Sequence, residues 1–434
     1  MICSFHTTKK IKGEITVPGD KSISHRAILL GSLASGTTSI KGFLSSDDCH
    51  STISCMRQMG VEVTMTEDEV LVSGVGLHGL KNPSSILYTG NSGTTTRLLS
   101  GILCGQNFSS AITGDKSIEK RPMKRIIEPL SQMGASIMSK SGNGCAPLMI
   151  GGTEESGPLH GISYNSPVAS AQVKSSILFA GMYADSPTTV TEPTLSRDHT
   201  ERMALAFGAD ITTDGCAVTI LPEPDLQAQE IVVPGDISSA AFFIVAALIH
   251  PDAELVIKNV GCNPTRSGII DVAKLMGGNI ITENERTISG ESVCDIIVRS
   301  SSLQGIEIGG DMIPTLIDEI PVIAVMAAYA EGTTTIKDAS ELRVKESDRI
   351  ASVCDNLRLM GCDVTPTSDG MIIRGGKPLH GCTIKTAADH RIAMAFTVAS
   401  LISDSSVFLD DPDCVSISYP GFYDTMAAIT EKIG

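Results

Sequence analysis

Apolar and polar positions follow a pattern that repeats six times along the chain. A mainly apolar stretch long enough for a buried helix gives way to a short turn of Gly, Ser and Asp. An alternating Thr- and Val-rich segment then follows, whose period of two marks a strand. The copies occupy residues 27–40, 95–112, 172–190, 240–257, 320–336 and 392–408. A second marker runs in step with the first. Segments with helical spacing end at Gly60, Gly134, Gly208, Gly277 and Gly361, each before a further alternating strand, and one more such segment ends at Gly434 with no strand after it. A glycine fits that place because positive φ closes the last turn of a helix. The unit is therefore helix, strand, polar loop, helix ending in glycine, then strands.

Six copies in 434 residues, a length beyond one comfortable hydrophobic core, predict two domains of three repeats each. The sixth repeat lacks its last strand, and residues 11–17 are expected to supply it by crossing over. The first domain is then 18–233, and the second is 1–17 plus 234–434. Pro18-Gly-Asp20 recurs as Pro234-Gly-Asp236, each leading into an apolar helix, which supports the cut. By itself a repeat records duplication and says nothing about chemistry.

Composition narrows the class. With 42% hydrophobic and 19% charged residues the chain reads as an ordinary globular protein. No stretch approaches the roughly 20 apolar residues of a membrane helix, and residues 1–10 carry no apolar core, so a cytoplasmic protein is expected. The 12 cysteines are scattered, with no Cys-x-x-Cys pair, which predicts neither a structural metal nor a disulfide framework. A net charge of -16 argues against nucleic acid as a partner. An anionic ligand would need cations concentrated locally.

Such concentrations occur at the predicted helix entrances. Lys21-Ser22 and Arg26 open the first apolar helix, Asn91-Ser-Gly-Thr-Thr-Thr-Arg97 the second, Ser170-Ala-Gln-Val-Lys174 the third and Asp389-His-Arg391 the sixth. Unpaired N–H groups and a partial positive charge make a helix N-terminus an anion site, and Arg adds bidentate geometry. The polar loops add Lys120-Arg-Pro-Met-Lys-Arg125, Ser196-Arg-Asp-His-Thr-Glu201, Asn263-Pro-Thr-Arg266 and Leu342-Arg-Val-Lys-Glu-Ser-Asp-Arg349. In the last of these, Lys345 and Arg349 are four apart and are expected to share a helix face beside Glu346. Asp318-Glu319 leads into the fifth apolar helix, where two carboxylates need cations or a task. The pattern predicts a cleft between the domains that binds at least two anionic groups, with carboxylates available for acid–base work. Spacing alone leaves open whether that surface is catalytic or an anion-binding repeat scaffold.

Six blocks in order carry a resemblance: Gly19-Asp-Lys-Ser-Ile-Ser-His-Arg26, Gly90-Asn-Ser-Gly-Thr94, Arg121-Pro-Met123, Ser170-Ala-Gln172, Arg343-Val-Lys-Glu-Ser-Asp-Arg349 and Asp389-His-Arg391. With these the chain resembles the 5-enolpyruvylshikimate-3-phosphate synthase family from about Ile11 onward. The resemblance implies an α/β fold of two similar domains, each of three βαβαββ repeats around a pseudo-threefold axis, the inside-out α/β barrel of enolpyruvyl transferases. It implies a transferase of aromatic amino acid biosynthesis that moves the enolpyruvyl group of phosphoenolpyruvate to the 5-hydroxyl of shikimate 3-phosphate, releasing phosphate. No cofactor or metal is implied, and a monomer is expected.

By the same resemblance, Lys21, Ser22, Arg26, Ser170, Ala171, Gln172, Arg197, Asp318 and Lys345 contact shikimate 3-phosphate. Lys21, Gly93, Arg121, Gln172, Arg349 and Arg391 contact phosphoenolpyruvate. Asp318 is the implied proton acceptor, with Lys21 and Lys345 beside the reaction, and Glu346 the implied donor to the methylene carbon. Three positions depart from the family pattern: Ile417 where a lysine is frequent, Glu341 where an asparagine is, and Leu98 where a proline is. Arg197-Asp-His-Thr-Glu201, Ser170-Ala-Gln-Val-Lys174 and Asn263-Pro-Thr-Arg266 look like the glyphosate-tolerant subclass, whereas Gly93 does not add to that likeness. The sister family acting on UDP-N-acetylglucosamine usually has Lys-Asn where this chain has Lys21-Ser22. It also has a cysteine in a loop of its first domain, and none lies between Ile112 and Arg125 here.

Overall fold

The computed structural model describes residues 3–432, with side chains from His6 to Glu431. The chain forms two compact units. The N-terminal unit holds Gly19–Val233 with Ile288–Gly290, and the C-terminal unit holds Met1–Pro18, Pro234–Thr287 and Glu291–Gly434. Each has its own hydrophobic core.

Each core is built on three apolar helices. In the N-terminal unit they are Lys21–Leu33, Gly93–Cys104 and Ala171–Gly181; in the C-terminal unit they are Ile237–Ile249, Ile320–Tyr329 and His390–Ser400. Past their first turns they are buried on nearly every side, so none has a broad solvent face. In Ile237–Ile249 every residue but the last is buried. Packing is close enough to dictate composition. A Cβ on Gly101 would lie 2.0 Å from the Ser176 carbonyl oxygen of the neighbouring helix, so only glycine fits. Polar residues gather at the helix entrances, where Asp20, Ser92, Ser170, Asp236 and Asp389 accept a backbone N–H of the first turn.

Among the described residues the strands form six open sheets of three to five strands, and none closes into a barrel. The first repeat shows the plan. Glu230–Val232 runs parallel to Ser35–Lys41, the strand after the core helix, while Glu69–Val75 pairs antiparallel on the other side and Glu62–Met65 lies at the edge. A parallel lead strand, a core helix and the strand it returns to make a βαβ unit, and the antiparallel pair completes the repeat.

The N-terminal residues depart from expectation. Residues 11–17 do not finish the sixth repeat. Thr8–Thr16 instead leads the fourth sheet, parallel to Ala253–Gly261 with Ile11 opposite Ala253 and Ile15 opposite Ile257. The strand that completes the sixth sheet is Cys3–Phe5, antiparallel to Val407–Leu409. The cause lies in the repeat itself. Glu230–Val232, next in sequence to the fourth core helix, has been taken as lead strand by the first repeat, and the fourth repeat takes the N-terminal strand in exchange. The two Pro-Gly-Asp segments mark the crossing points, since the chain changes unit between Pro18 and Gly19 and again between Val233 and Pro234. At the other end, helix Phe422–Ile429 stops short and Thr430–Lys432 is a strand beside Thr8–Thr16. Gly434, the sixth glycine of the sequence pattern, lies outside the described residues.

The other five helix-ending glycines all have positive φ, between 86° and 100°. At Gly134 a Cβ would meet nothing closer than 3.6 Å, so substitution tests the backbone alone. Gly134→Ala should lower unfolding stability by about 1 kcal/mol in urea titrations with an unchanged m-value. No single helix among the described residues is long and apolar enough to cross a membrane.

Candidate active site

In the N-terminal unit, cations cluster at three helix entrances. Lys21 is the first residue of its helix, behind an Asp20 cap that accepts from Ile23 N at 2.9 Å. Its Nζ pairs with Asp48 Oδ2 at 2.9 Å. Ser22 is half-buried beside it. Arg26, one turn further on, is only 3% exposed. Its Nε donates to Thr200 Oγ1 at 2.6 Å, Nη1 to the Ser22 carbonyl at 3.0 Å and Nη2 to Ser175 Oγ at 2.8 Å. Arg26 therefore fastens the first core helix to the third from beneath its entrance.

Gly93 is the first residue of the second core helix. A Cβ there would lie 2.9 Å from Nη1 of both Arg121 and Arg97, so the missing side chain lets two guanidinium groups approach a helix N-terminus. Arg121 is 7% exposed and donates from Nη1 to the Asn91 carbonyl at 3.3 Å. Arg97 donates to Gln172 Oε1, and Gln172 Nε2 donates to Thr94 Oγ1 at 3.0 Å. Gln172 thus bridges the second and third helix entrances. Ala171 opens the third helix under the cap of Ser170, whose own N–H donates to Glu192 Oε1 at 2.7 Å. Arg197 is half-buried in the loop before helix His199–Ala206.

A buried hydroxyl chain stiffens this surface. His25 Nδ1 meets Thr52 Oγ1 at 2.7 Å, Thr52 Oγ1 meets Thr95 Oγ1 at 2.7 Å, and Thr95 donates to the capping Ser92 at 2.8 Å. Burial, with the charges of Lys21 and Arg26 adding to it, holds the His25 pKa well below the ordinary histidine value, so the ring is neutral at pH 7. Lys174, which the sequence places among the entrance cations, is not on the surface at all. It is 1% exposed and pairs with Glu192 at 2.9 Å and Glu201 at 2.6 Å. Burial opposes its charge, but Glu201 and Glu192 together keep its pKa above the ordinary lysine value.

The C-terminal unit gathers a different set. Asp318 Oδ1 lies 3.3 Å from Lys345 Nζ and 3.4 Å from Arg349 Nη1. Arg349, 1% exposed, also donates to Glu346 Oε2 at 2.6 Å and, from Nε, to Asp389 Oδ2 at 2.8 Å. One guanidinium thus organises three carboxylates. Burial costs Arg349 charge stability, but Asp389, Glu346 and Asp318 more than offset it and push its pKa up. Burial likewise works to raise the Asp389 pKa, and the Arg349 charge overcomes it and holds the group below the usual carboxylate range. Arg391, 7% exposed, donates from Nη1 to the Asp318 carbonyl at 3.1 Å and approaches Glu319 Oε1 at 3.6 Å.

Lys345 and Arg349 do not share a helix face. Asp348 accepts from Ala351 N at 3.0 Å and caps helix Arg349–Leu359, which leaves Lys345 extended and Glu346 in the turn before it. The two cations still converge, because both reach Asp318. Of the departures from the family pattern, Ile417 packs against the apolar core, Leu98 is fully buried and Glu341 sits in the turn Ser340–Val344.

Sequence reasoning missed three participants. Arg97 stood in a quoted motif without a role, although its position one turn into a Gly-started helix was the available signal. Asp48 had no signal, since nothing in its sequence neighbourhood marks it as the partner of Lys21. Asp389 was visible as a cap but not as the counter-ion of Arg349.

Asp389→Asn isolates that charge, because Asn caps a helix nearly as well as Asp. It should destabilise the C-terminal unit by about 3 kcal/mol, through a buried guanidinium short of one carboxylate, as read by chemical denaturation at pH 7. The wild-type contribution is present above the ordinary aspartate value of about 3.9 and is lost as pH falls through the lower folded-state value. The difference between wild type and variant should therefore shrink in acid.

The two clusters differ in electrical character. Around Gly93 and Lys21, cations outnumber carboxylates, which suits binding of polyanions. Around Arg349, four carboxylates (Asp318, Glu319, Glu346 and Asp389) interleave with three cations (Lys345, Arg349 and Arg391), which suits proton transfer. Among the described residues no group of three or more His, Cys, Asp or Glu side chains is arranged to hold a metal ion.

Comparisons with known proteins bear on the same chemistry. The family model described as EPSP synthase (3-phosphoshikimate 1-carboxyvinyltransferase) matches residues 5–426. The 3-phosphoshikimate 1-carboxyvinyltransferase of Geobacter sulfurreducens is 51% identical over 430 residues, covering 99% of this chain and 98% of its own. That of Pelobacter propionicus is 54% identical over 413 residues, 95% of each chain. The solved EPSP synthase of Acinetobacter baumannii superposes with a TM-score of 0.87 at 46% identity, covering 100% of this chain and 99% of that one. The enolpyruvyl transferase NikO of Streptomyces tendae shares the fold at 14% identity and a TM-score of 0.79, covering 99% of this chain and 97% of its own.

Proposed function

The chain belongs to the EPSP synthase family and has 3-phosphoshikimate 1-carboxyvinyltransferase activity, and from that premise we propose how its two charged clusters share the reaction. The substrates are shikimate 3-phosphate and phosphoenolpyruvate, and the enzyme works as a cytoplasmic monomer without a cofactor. The cation-rich entrances of the N-terminal unit bind the anionic groups. Ser170, Ala171, Gln172 and Arg197 take the 3-phosphate, and Lys21, Ser22 and Arg26 hold the shikimate ring. Gly93, Arg121 and Gln172 receive phosphoenolpyruvate, joined by Arg349 and Arg391 of the C-terminal unit. Lys21 faces both substrates.

Chemistry falls to the carboxylates of the C-terminal unit. Asp318, steadied by Lys345, accepts the proton of the 5-hydroxyl as its oxygen bonds to C2 of phosphoenolpyruvate. Glu346 protonates the methylene carbon in the same addition. In the elimination a methyl proton returns to Glu346, the C2–O bond to phosphate breaks and the departing phosphate takes the proton held by Asp318, with the surrounding cations stabilising its charge. As substrate anions arrive, Arg349 exchanges part of its contact with Glu346 and Asp318 for them, which frees both carboxylates to react.

The observation that carries this reading is the shared hold of Arg349 on Asp318 and Glu346, at 3.4 and 2.6 Å. It keeps acceptor and donor on one pivot. A phosphate-release assay tests the substrate: turnover is expected with shikimate 3-phosphate and phosphoenolpyruvate. Turnover only with UDP-N-acetylglucosamine would replace the reading with that of the sister enzyme, and turnover with neither would favour a non-catalytic scaffold. Arg121→Ala should raise KM for phosphoenolpyruvate by about 10- to 100-fold, from loss of a charge-assisted contact, with KM for shikimate 3-phosphate near wild type. An unchanged phosphoenolpyruvate KM removes Arg121 from the site.

A further inference from the structure

Next to Asp318 lies a second buried charged network that reaches Arg391 and whose other members have no part in the scheme above. Arg266, 3% exposed, donates from Nη2 to Asp236 Oδ1 at 2.8 Å and to Ser238 Oγ at 2.8 Å. Asp236 caps the fourth core helix, accepting from Ser238 N at 2.8 Å. The Ser238 hydroxyl in turn donates to Glu319 Oε1, and that same oxygen lies 3.6 Å from Arg391 Nη1. Arg391 Nη1 completes the path by donating to the Asp318 carbonyl at 3.1 Å.

Every member is 7% exposed or less: Asp236, Ser238, Arg266, Glu319 and Arg391. Charges alternate along the path, two carboxylates and two guanidinium groups joined through one hydroxyl. A buried arrangement of this kind persists only when the geometry satisfies it closely, since each uncompensated charge is costly in low dielectric.

The network has a direction. Arg391 Nη1 makes both of the guanidinium's protein contacts, and among the described residues its other guanidinium N–H groups carry no hydrogen bond. The group is thus held by one nitrogen and presents the rest. Glu319 supplies the holding charge, and Glu319 is itself fixed by a serine whose hydroxyl is aimed by Arg266, because an O–H that accepts from Arg266 has its proton left for Glu319. Removal of the Ser238 hydroxyl therefore breaks the path at its one neutral link and leaves all four charges in place.

We propose that Ser238 and Arg266 are positioning residues for phosphoenolpyruvate, which orient Arg391 through Glu319. The assignment rests on the reading that Arg391 binds phosphoenolpyruvate, and the closing experiment separates the two. Neither Ser238 nor Arg266 touches substrate. Their effect is on KM for one substrate, because a mis-aimed guanidinium weakens binding of the anion it faces and leaves the proton-transfer carboxylates in place.

The test is a double-mutant cycle on full-length protein with Ser238→Ala, Arg391→Ala and the double variant, read as KM for each substrate, kcat and thermal midpoint. Ser238→Ala should raise KM for phosphoenolpyruvate about tenfold, the scale of one charge-assisted hydrogen bond, with KM for shikimate 3-phosphate within about twofold of wild type. In the Arg391→Ala background the same change should have no further effect on KM, because the group it positions is gone. Glu319→Gln, which keeps size and acceptor but removes the holding charge, should reproduce the phosphoenolpyruvate effect and serves if Ser238→Ala folds poorly. A raised phosphoenolpyruvate KM in Arg391→Ala alone, with Ser238→Ala and Glu319→Gln changing only the thermal midpoint, overturns the positioning role and leaves the Arg391 reading standing. An unchanged phosphoenolpyruvate KM in Arg391→Ala overturns both.

Discussion

Asp318→Asn should lower kcat by about 10²- to 10⁴-fold, the usual worth of a positioned acid or base, while the dissociation constant for shikimate 3-phosphate changes by less than about threefold. The amide keeps the size of the carboxylate and one acceptor oxygen, so Lys345 at 3.3 Å and Arg349 at 3.4 Å retain a partner. What the variant loses is the ability to take a proton from the attacking hydroxyl. Calorimetric titration of shikimate 3-phosphate, set beside steady-state rates, separates the two quantities. Loss of binding equal to the loss of rate would make Asp318 a ligand contact and nothing more.

Glu346→Gln should lower kcat on the same scale by a different route. An amide cannot deliver a proton to carbon, so addition stalls with both substrates bound. The geometry makes this variant informative. Glu346 Oε2 sits 2.6 Å from Arg349, and a Gln oxygen can keep that contact. The buried guanidinium stays paired with Asp389 at 2.8 Å and Asp318 at 3.4 Å. Unfolding midpoints should therefore fall less in Glu346→Gln, where the lost charge is 18% exposed, than in Asp389→Asn, where it is fully buried. That contrast separates a carboxylate used for chemistry from one used to hold the pivot.

The repeat was legible because its two markers are local. An apolar run needs burial wherever it lies in the chain, and a glycine at a helix end needs only its own positive φ, as the values at Gly60 to Gly361 show. The lead-strand exchange was not legible. Residues 8–16 and 230–232 both alternate, and nothing local tells a strand which βαβ unit will take it; Glu230–Val232 pairs with a strand nearly two hundred residues earlier in the chain.

The site shows the same division. Lys21, Gly93, Gln172, Asp318, Glu346, Arg349 and Arg391 stood out as charged, amide or glycine residues at helix entrances and in a matching motif set. Their partners did not. Asp48 beneath Lys21, Asp389 against Arg349 and Ser238 against Glu319 come from other elements, and each pair forms only once the helices have packed. Spacing was misleading in two places. The four-residue interval from Lys345 to Arg349 suggested one helix face, but the Asp348 cap starts the helix only at Arg349. Lys174 looked like an entrance cation, yet one turn inside its helix it points into the core and needs both Glu192 and Glu201.

The central claim is that the carboxylates pivoted on Arg349 move protons while the helix-entrance cations bind. It is tested most directly by turnover in D₂O with shikimate 3-phosphate and phosphoenolpyruvate, following deuterium in the vinyl carbon by mass spectrometry. Wild-type enzyme should place solvent deuterium in the product methylene group, and Glu346→Gln, with both substrates shown to bind, should release phosphate at least about 10²-fold more slowly and place no deuterium in recovered phosphoenolpyruvate. A Glu346→Gln enzyme that releases phosphate at the wild-type rate and still deuterates the product would contradict the account.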